Sequence, residues 1–300
     1  MIIDKQNGDV AYNDEFHSYW NVNDDEKYIS VTTLIHSFTQ EFDKDFWSAY
    51  KALEKLLDPE SWKVEKKALL ATKKFNKEVL SIYDISENDF NTVQQDILDQ
   101  WAEENRKSCE RGTKIHAELE NSMYKAGANV SLKKFGIGGK FECRKDYCDL
   151  DLEYGVYPEY LVSRTSEDGI LRLAGQVDLI VKQGNEITIM DWKTNKKIDL
   201  KSGYNSTTKS NSKMQYPLNN LDDCNYYHYS LQLSTYAWML QKLNPNFVIK
   251  DLILVHFDHN DNQTVYHLDY LKNDVVRMLN DYKKKRKIEI SKDKRKPIEY

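Results

Sequence analysis

Hydrophobic and polar residues alternate in two runs, 171–183 and 186–194, which a short polar segment separates. Alternation with a period of two, in runs rich in valine and isoleucine, predicts two β-strands. Gly184 and Asn185 tolerate positive φ, as the central residues of a tight hairpin turn must. The cross-strand pairs of this predicted hairpin are Gln183/Glu186, Lys182/Ile187, Val181/Thr188, Ile180/Ile189, Leu179/Met190 and Asp178/Asp191.

The predicted register places Asp178 and Asp191 directly opposite each other, with Cβ atoms about 5 Å apart. Facing like charges destabilise a sheet, so folding alone gives no reason for the pair. A divalent cation between the carboxylates removes the repulsion, and Lys193 points to the same side as both. Two carboxylates and an ammonium on one face predict a metal-assisted hydrolysis site. The alternative is a hairpin with a solvated polar edge, but the aspartates follow apolar runs that indicate central strands.

Helical periodicity dominates the chain before this hairpin, and a mixed pattern follows it. Residues 1–30 predict short strands, and Ser30 or Thr32 is a candidate N-cap for the next helix. A helix N-terminus with hydroxyls also suits a phosphate, although capping is the simpler explanation. Further predicted elements are helices at 46–57, 62–80 and from 87 past 101, a strand from 157, a polar loop at 195–225, a helix at 229–243, strands at 248–257 and 264–268, and a last helix at 270–287.

Several charged residues outside the hairpin are candidates for the same site. His116 and Glu120 are four residues apart and therefore share one face of a predicted helix. A lone histidine is most often a surface or core residue, so His116 gains interest only beside the aspartate pair. Glu159, near the start of its strand, either reaches the site or is exposed. The basic run 283–287 complements a helix dipole, and a solvated helix end is preferred over a phosphate contact.

The composition is that of a soluble globular protein, with 300 residues, 40% apolar and 30% charged. The sequence shows neither a membrane-spanning run nor a signal peptide, which predicts a cytoplasmic protein without membrane contact. The four cysteines are scattered, and only Cys143 and Cys148 are close, so reduced structural thiols are expected. A net charge of −5 is not that of a general DNA-coating protein, but an acidic metal site contributes to it.

Four short motifs follow one another along the chain: Gly112–Glu120 with His116, Gly175-Gln176-Val177-Asp178, Asp191-Trp192-Lys193-Thr194 and Gln232-Leu233-Ser234-Thr235-Tyr236. In this order they resemble the PD-(D/E)XK nuclease superfamily, in its RecB-like exonuclease branch. The stretch Ser30-Val31-Thr32, ahead of the long helical region, is also similar to the Ser-Val-Thr stretch of the mitochondrial genome maintenance exonuclease and related phage proteins.

This resemblance implies a restriction-endonuclease-like α/β fold, with a mixed central sheet flanked by helices. It implies a single nuclease domain over 1–300, with a mainly helical region at 1–110 that arches over DNA and a core at 111–290. The implied ligands of Mg²⁺ or Mn²⁺ are His116, Asp178, Asp191 and the carbonyl of Trp192. Lys193 is the implied catalytic cation, together with catalytic Asp178 and Asp191. Ser30, Thr32, Gln232 and Tyr236 are the implied DNA contacts, and Glu120 and Glu159 are possible supporting residues.

The resemblance further implies a DNA exonuclease that processes ends or single strands in phage replication, recombination or repair, in the host cytoplasm. Its partners are then DNA and, where a motor or recombination is needed, a helicase, a recombinase or a single-strand-binding protein. No iron–sulfur cluster is expected, because iron–sulfur members carry three cysteines after the Gln-x-x-x-Tyr helix and this chain has none after Cys224. The alternatives are a structure-specific or nicking endonuclease and a non-catalytic DNA-binding protein with a nuclease fold.

Overall fold

The computed structural model describes residues 3–144, 152–205 and 210–293. Cys148 lies outside these residues. The strands are β1 (Lys5–Asn7), β2 (Val10–Asn13), β3 (Ser18–Asn21), β4 (Lys27–Ser30), β5 (Gly155–Thr165), β6 (Arg172–Gln183), β7 (Glu186–Lys193), β8 (Tyr204–Asn205), β9 (Ser210–Asn211), β10 (Val248–Phe257) and β11 (Gln263–His267). The helices are α1 (Val31–His36), α2 (Lys44–Leu56), α3 (Pro59–Thr72), α4 (Glu78–Ile82), α5 (Glu87–Ala126), α6 (Asn225–Leu243) and α7 (Lys272–Asp293).

Nine of the described strands form a mixed sheet, in the order β1-β2-β3-β4-β6-β7-β10-β11, with β5 paired to β6, and β8 and β9 form a separate pair. The pairs β4–β6 and β7–β10 are parallel and the others are antiparallel. Helices α1, α6 and α7 contribute to a core that includes Ile180 and Ile189. The end of α5 contributes to a second core, which includes Leu179 and Met190. Because successive strand residues point to opposite faces, the sheet is covered by helices on both sides, as expected for the predicted fold class.

The predicted hairpin is confirmed for five of its six cross-strand pairs, and the sixth, Asp178/Asp191, lies one residue beyond the observed ladder. Residues Leu179 to Gln183 pair with Met190 to Glu186 in the predicted register. Gly184 at the turn has a φ of +59°, which is the left-handed conformation that such a turn needs. The short strands before residue 30 are also confirmed.

One predicted helix, 62–80, is wrong, because the structure divides it into α3 and α4. Helix α3 begins at Pro59 with Asp58 as its N-cap, and it ends where Lys73 adopts a left-handed conformation. Proline suits the first turn of a helix because the amide it lacks has no partner there. Helix α3 therefore begins at Pro59, three residues before the predicted start at residue 62.

The residues fall into two compact units. One unit is formed by the described residues of 1–39, 114–204 and 210–300, and it contains the whole sheet. The other contains α2, α3, α4 and the first part of α5, around its own core of residues such as Phe46, Leu53 and Phe90. Among the described residues, no helix has the length and apolar composition needed to cross a membrane.

Candidate active site

The candidate site lies on strand β6, at the point where β6 changes its neighbour. Strand β5 pairs along one edge of β6, so β4 and β7 must share the other edge. Strand β4 pairs with Leu173 and Ala174, whereas β7 pairs only from Leu179 onward. Asp178 lies in the interval between these two ladders. Its carboxylate, instead of a ladder carbonyl, accepts the backbone N–H of Trp192 at 2.7 Å.

Three carboxylates lie in one row across adjacent strands. The register of β5 on β6 places Glu159 opposite Asp178, between the pairs Pro158/Leu179 and Tyr160/Val177. The register of β6 on β7, continued by one residue, places Asp191 on the other side of Asp178. Glu159 has a φ of +51°, an uncommon conformation for a residue with a side chain. Such strain inside a strand is typical of functional positions.

His116, from helix α5, joins two of these carboxylates. Its Nδ1 lies 3.6 Å from Oε1 of Glu159 and 3.7 Å from Oδ2 of Asp178. Its Nε2 lies 3.1 Å from the carbonyl oxygen of Trp192. One ligand atom from each of His116, Glu159 and Asp178 lies within 4.8 Å of the other two. The Trp192 carbonyl, named by the sequence analysis, thus adjoins this group.

Asp191 and Lys193 form a pair beside that group. Oδ2 of Asp191 lies 2.6 Å from Nζ of Lys193, and the Asp191 side chain is only 2% exposed. Nζ of Lys193 also lies 5.0 Å from the centre of the Tyr229 ring on α6, within the range of a cation–π interaction. Lys193 is therefore held between a carboxylate and an aromatic face.

Helix α6 supplies Gln232 and Tyr236 to the same place. Nε2 of Gln232 donates to Oδ1 of Asp191 and to the hydroxyl of Tyr236, each at 3.3 Å. Both side chains are buried. The structure thus brings the predicted residues of α6 onto Asp191.

The electrostatics of the site follow from burial of like charges. Burial, followed by the charge of Asp178, raises the pKa of Asp191 to about 6. Burial also raises the pKa of Asp178. For His116, burial alone lowers the pKa, but Asp178 and Glu159 outweigh it and bring the pKa to about 9. For Lys193, burial lowers the pKa, and Asp191 and Asp178 reverse this and raise it.

The residues present fit a divalent metal ion. Carboxylate oxygens with one imidazole are ligands that suit Mg²⁺ and Mn²⁺. Oδ2 of Asp191 is buried, with Nζ of Lys193 at 2.6 Å as its partner. A cation beside the carboxylates compensates their repulsion, as expected from the sequence. The structure brings ligand atoms of His116, Glu159 and Asp178 within 4.8 Å of one another. Asp191 lies beside Asp178, on β7.

The remaining candidates lie around this centre. Glu120 on α5 and Glu159 both lie 3.9 Å from Nζ of Lys5. Ser30 is the N-cap of α1, where its Oγ accepts the N–H of Thr33 at 3.0 Å and contacts the hydroxyl of Thr32. Ser30 pairs with Ala174, four residues before Asp178 on β6. The hydroxyls of Ser30 and Thr32 thus lie near β6, toward its N-terminal end from Asp178.

Three contacts at the site were missed by sequence reasoning. The ring of Tyr229 covers Lys193, and Gln176 donates a hydrogen bond to Glu159. His256 on β10 is the neighbour of Lys193 in the backbone register of β10 on β7. Nε2 of the buried His256 lies 2.6 Å from the carbonyl of Asn195, just beyond Lys193. The spacing of Tyr229 and Gln232, three apart on one helical face, was the available signal for the first contact.

Gly175 explains how closely α6 packs on β6, and it provides a first prediction. A Cβ at Gly175 would lie 2.6 Å from Cε1 of Tyr236. We expect Gly175→Ala to cost about 1–3 kcal/mol of stability through overpacking. It should also lower any activity that depends on Asp191, because a displaced Tyr236 no longer holds Gln232. Thermal unfolding and activity assays check both effects.

Gly138 is the matched control for this substitution, because a Cβ there meets nothing within 4 Å. Gly138→Ala should leave the unfolding temperature unchanged. Equal unfolding temperatures for Gly175→Ala and Gly138→Ala would contradict the close packing described above.

Comparison with known proteins identifies a family. The model of the PD-(D/E)XK nuclease superfamily matches residues 27–296. No curated protein sequence matches this chain significantly. Similar solved structures include SSO0001, with 15% identity over 86% of this chain and 75% of that chain, at a TM-score of 0.32. Another is a proposed exonuclease from Eubacterium rectale, with 10% identity over 86% of this chain and 77% of that chain, at a TM-score of 0.29. Similarities of this size carry no conclusion about this chain.

Proposed function

We propose that this chain, which belongs to the PD-(D/E)XK nuclease superfamily, is a metal-dependent DNA exonuclease that acts on ends or single strands. The observation that carries the proposal is the row of Glu159, Asp178 and Asp191, flanked by His116 and Lys193. A purely structural sheet has no use for three adjacent carboxylates at its centre. Metal-assisted phosphodiester hydrolysis uses carboxylates of this kind as metal ligands.

The metal ligands in this proposal are His116, Glu159, Asp178 and Asp191, with the carbonyl of Trp192. A bound Mg²⁺ or Mn²⁺ would supply Lewis-acid stabilisation of phosphate oxygens and a more acidic water. The N–H of Trp192 fixes one oxygen of Asp178 and so orients the carboxylate toward the group.

Lys193 carries the second part of the mechanism. Its ammonium, held by Asp191 and Tyr229, donates hydrogen bonds to the attacking water and to the phosphoryl oxygens on which negative charge develops. A preorganised cation in a buried site is effective because no solvent has to reorganise. Gln232 restrains Asp191 from the other side, and Tyr236 restrains Gln232.

Backbone contacts of the DNA strand are assigned to Ser30 and Thr32 in this proposal, while the buried Gln232 and Tyr236 act through Asp191. Hydroxyl and amide groups hold phosphates without regard to base sequence. Such contacts suit an enzyme that degrades DNA of any sequence. Ser30 and Thr32 lie beside β6 in the direction of its N-terminal end, so the strand would run along β6 away from the carboxylates.

Digestion of labelled DNA tests this proposal. Linear single-stranded, linear double-stranded and circular single-stranded DNA are incubated with Mg²⁺, with Mn²⁺ and with EDTA. We expect metal-dependent loss of linear DNA only, because an exonuclease needs an end, and the label position gives the polarity. Cutting of the circle would instead show an endonuclease, and binding without cleavage under both metals would show a non-catalytic protein.

A further inference from the structure

A second concave site lies at the beginning of β6, away from the carboxylates. It is a cavity of about 380 Å³ between the start of β4, the turn before β6 and helix α7. Its lining includes three cationic side chains, an aromatic ring and isoleucines: Lys27, Arg172, Arg286, Tyr282, Ile29 and Ile170. Its volume lies within the range of ligand pockets.

The charges around this cavity favour an anion. Glu26 is the carboxylate in its lining, against three cations. Arg172 pairs with Asp24 at 2.9 Å, and Arg286 pairs with Glu289 at 3.1 Å. A guanidinium has five N–H donors, so these pairs leave donors for another anion.

Ion pairs between the basic run 283–287 of α7 and the turn before β6 connect two walls of the cavity. Nζ of Lys283 and Nζ of Lys287 lie 2.9 Å and 3.3 Å from the carboxylate of Asp168, in the turn before β6. Nζ of Lys285 pairs with Asp281 at 2.7 Å. The run that the sequence analysis interpreted as a solvated helix end therefore has specific partners. Lys283 and Lys287 connect the turn to α7, and Arg286 is the member of the run that lines the cavity.

The cavity and the candidate active site lie at two points along the same strand, β6. Arg172 precedes Asp178 by six residues on β6, which corresponds to about 20 Å along the strand. Ser30, paired with Ala174, lies between them. At about 3.4 Å per stacked nucleotide, 20 Å is spanned by about six nucleotides, and by fewer if the strand is extended.

We propose that this cavity binds one nucleotide of the DNA substrate strand, several nucleotides away from the scissile bond. The arginines hold its phosphate, and Tyr282 and the isoleucines contact its base. Aromatic and apolar surfaces accept any base, because every base has a flat face. The proposal rests on the proposed function, since it assigns the path of the same strand. The cavity then anchors long substrates and leaves short ones unaffected.

Substrate length is the variable that tests this anchor. The double variant Arg172→Gln/Arg286→Gln is compared with the wild type on single strands of about 3 and about 20 nucleotides, since only the longer strand spans the distance at about 3.4 Å per nucleotide. We expect KM for the long strand to rise about tenfold or more, because the variant cannot form the charged hydrogen bonds to phosphate. We expect kcat for the long strand, and kcat/KM for the short one, to stay unchanged. Equal effects on both lengths, or none, would overturn the anchor.

Two further variants separate this role from a loss of structure. Arg277→Gln removes the same charge from α7 outside the cavity lining and should leave KM unchanged at both lengths. Lys27→Gln removes an exposed lysine of the lining, so it should raise KM for the long strand even if the double variant is unstable. A Lys27→Gln variant with unchanged KM, alongside an unfolded double variant, would count against the anchor.

A measurement of DNA binding in the absence of cleavage tests the cavity independently of the proposed exonuclease activity. In EDTA, fluorescence anisotropy of a labelled strand of about 20 nucleotides should show a weaker affinity for the double variant. Its salt dependence should be shallower by about one for each phosphate that the variant no longer neutralises. If the wild type cleaves no DNA, the proposed function fails, while this binding difference still supports the cavity.

A free deoxynucleoside monophosphate is added in a separate arm of the experiment. If it alters cleavage of the short strand in the wild type but not in the double variant, the cavity takes a free nucleotide and the anchor is overturned. Under the anchor, we expect the free nucleotide to leave cleavage of the short strand unchanged in both proteins.

Discussion

Lys193→Ala is expected to reduce DNA cleavage by at least about 10²–10³-fold in kcat, the effect of removing one preorganised donor to a developing charge. The ammonium of Lys193 is buried between Asp191 and the ring of Tyr229. Among the described residues, no other cationic side chain forms an ion pair with Asp191. Single-turnover cleavage of linear DNA, with saturating metal, measures the loss. Wild-type rates in Lys193→Ala would remove Lys193 from the mechanism.

The same substitution also tests folding, so it needs a matched control. Removing one member of a buried ion pair leaves the other charge uncompensated, which commonly costs about 3–5 kcal/mol. The double variant Asp191→Asn/Lys193→Met removes both charges and keeps both side-chain volumes. We expect it to be at least as stable as Lys193→Ala in thermal unfolding and equally inactive. Recovery of activity along with stability would show that neither Lys193 nor Asp191 is needed for cleavage and that the pair acts only in folding.

Local chemistry explains why the hairpin could be predicted from the sequence. Its period-two pattern fixes which residues face each core, and Gly184-Asn185 fixes the turn, so the register from Gln183 to Leu179 follows. The carboxylate pair and Lys193 follow from that register. Helix α6 could be predicted for a similar reason, because Gln232 and Tyr236 share one helical face.

Contacts between distant segments could not be predicted in this way. Glu159 faces Asp178 because β5 pairs with β6 in one particular register, and no short-range pattern fixes that register across the turn at 166–170. His116 reaches the same group from a helix of 40 residues, in which its own periodicity gives no partner. The cavity beside Arg172 depends on where α7 packs, which only tertiary structure determines. Local patterns thus predicted the hairpin, the family resemblance named His116, and the contacts of His116 with Glu159 and Asp178 came only from the tertiary structure.

Metal binding should be visible as stabilisation in the absence of DNA. A ligand at 100 times its Kd stabilises the folded state by about 2.7 kcal/mol, so Mg²⁺ or Mn²⁺ should raise the unfolding temperature of the wild type. We expect Asp178→Asn to abolish this rise and to lower cleavage at least as strongly as Lys193→Ala. An asparagine oxygen can still accept the N–H of Trp192, which Asp178 accepts at 2.7 Å, so the fold should be retained.

Substitutions of Glu159 and Glu120 test which carboxylates belong to the metal site. Both lie 3.9 Å from Nζ of Lys5, but only Glu159 belongs to the group with His116 and Asp178. Glu159→Gln should therefore reduce the metal-induced rise, while Glu120→Gln, which makes the same chemical change, should keep it. Calorimetric titration with Mn²⁺ gives the affinities directly. If the two variants lose affinity equally, the effect is general charge near the site, and the assignment of Glu159 as a ligand is wrong.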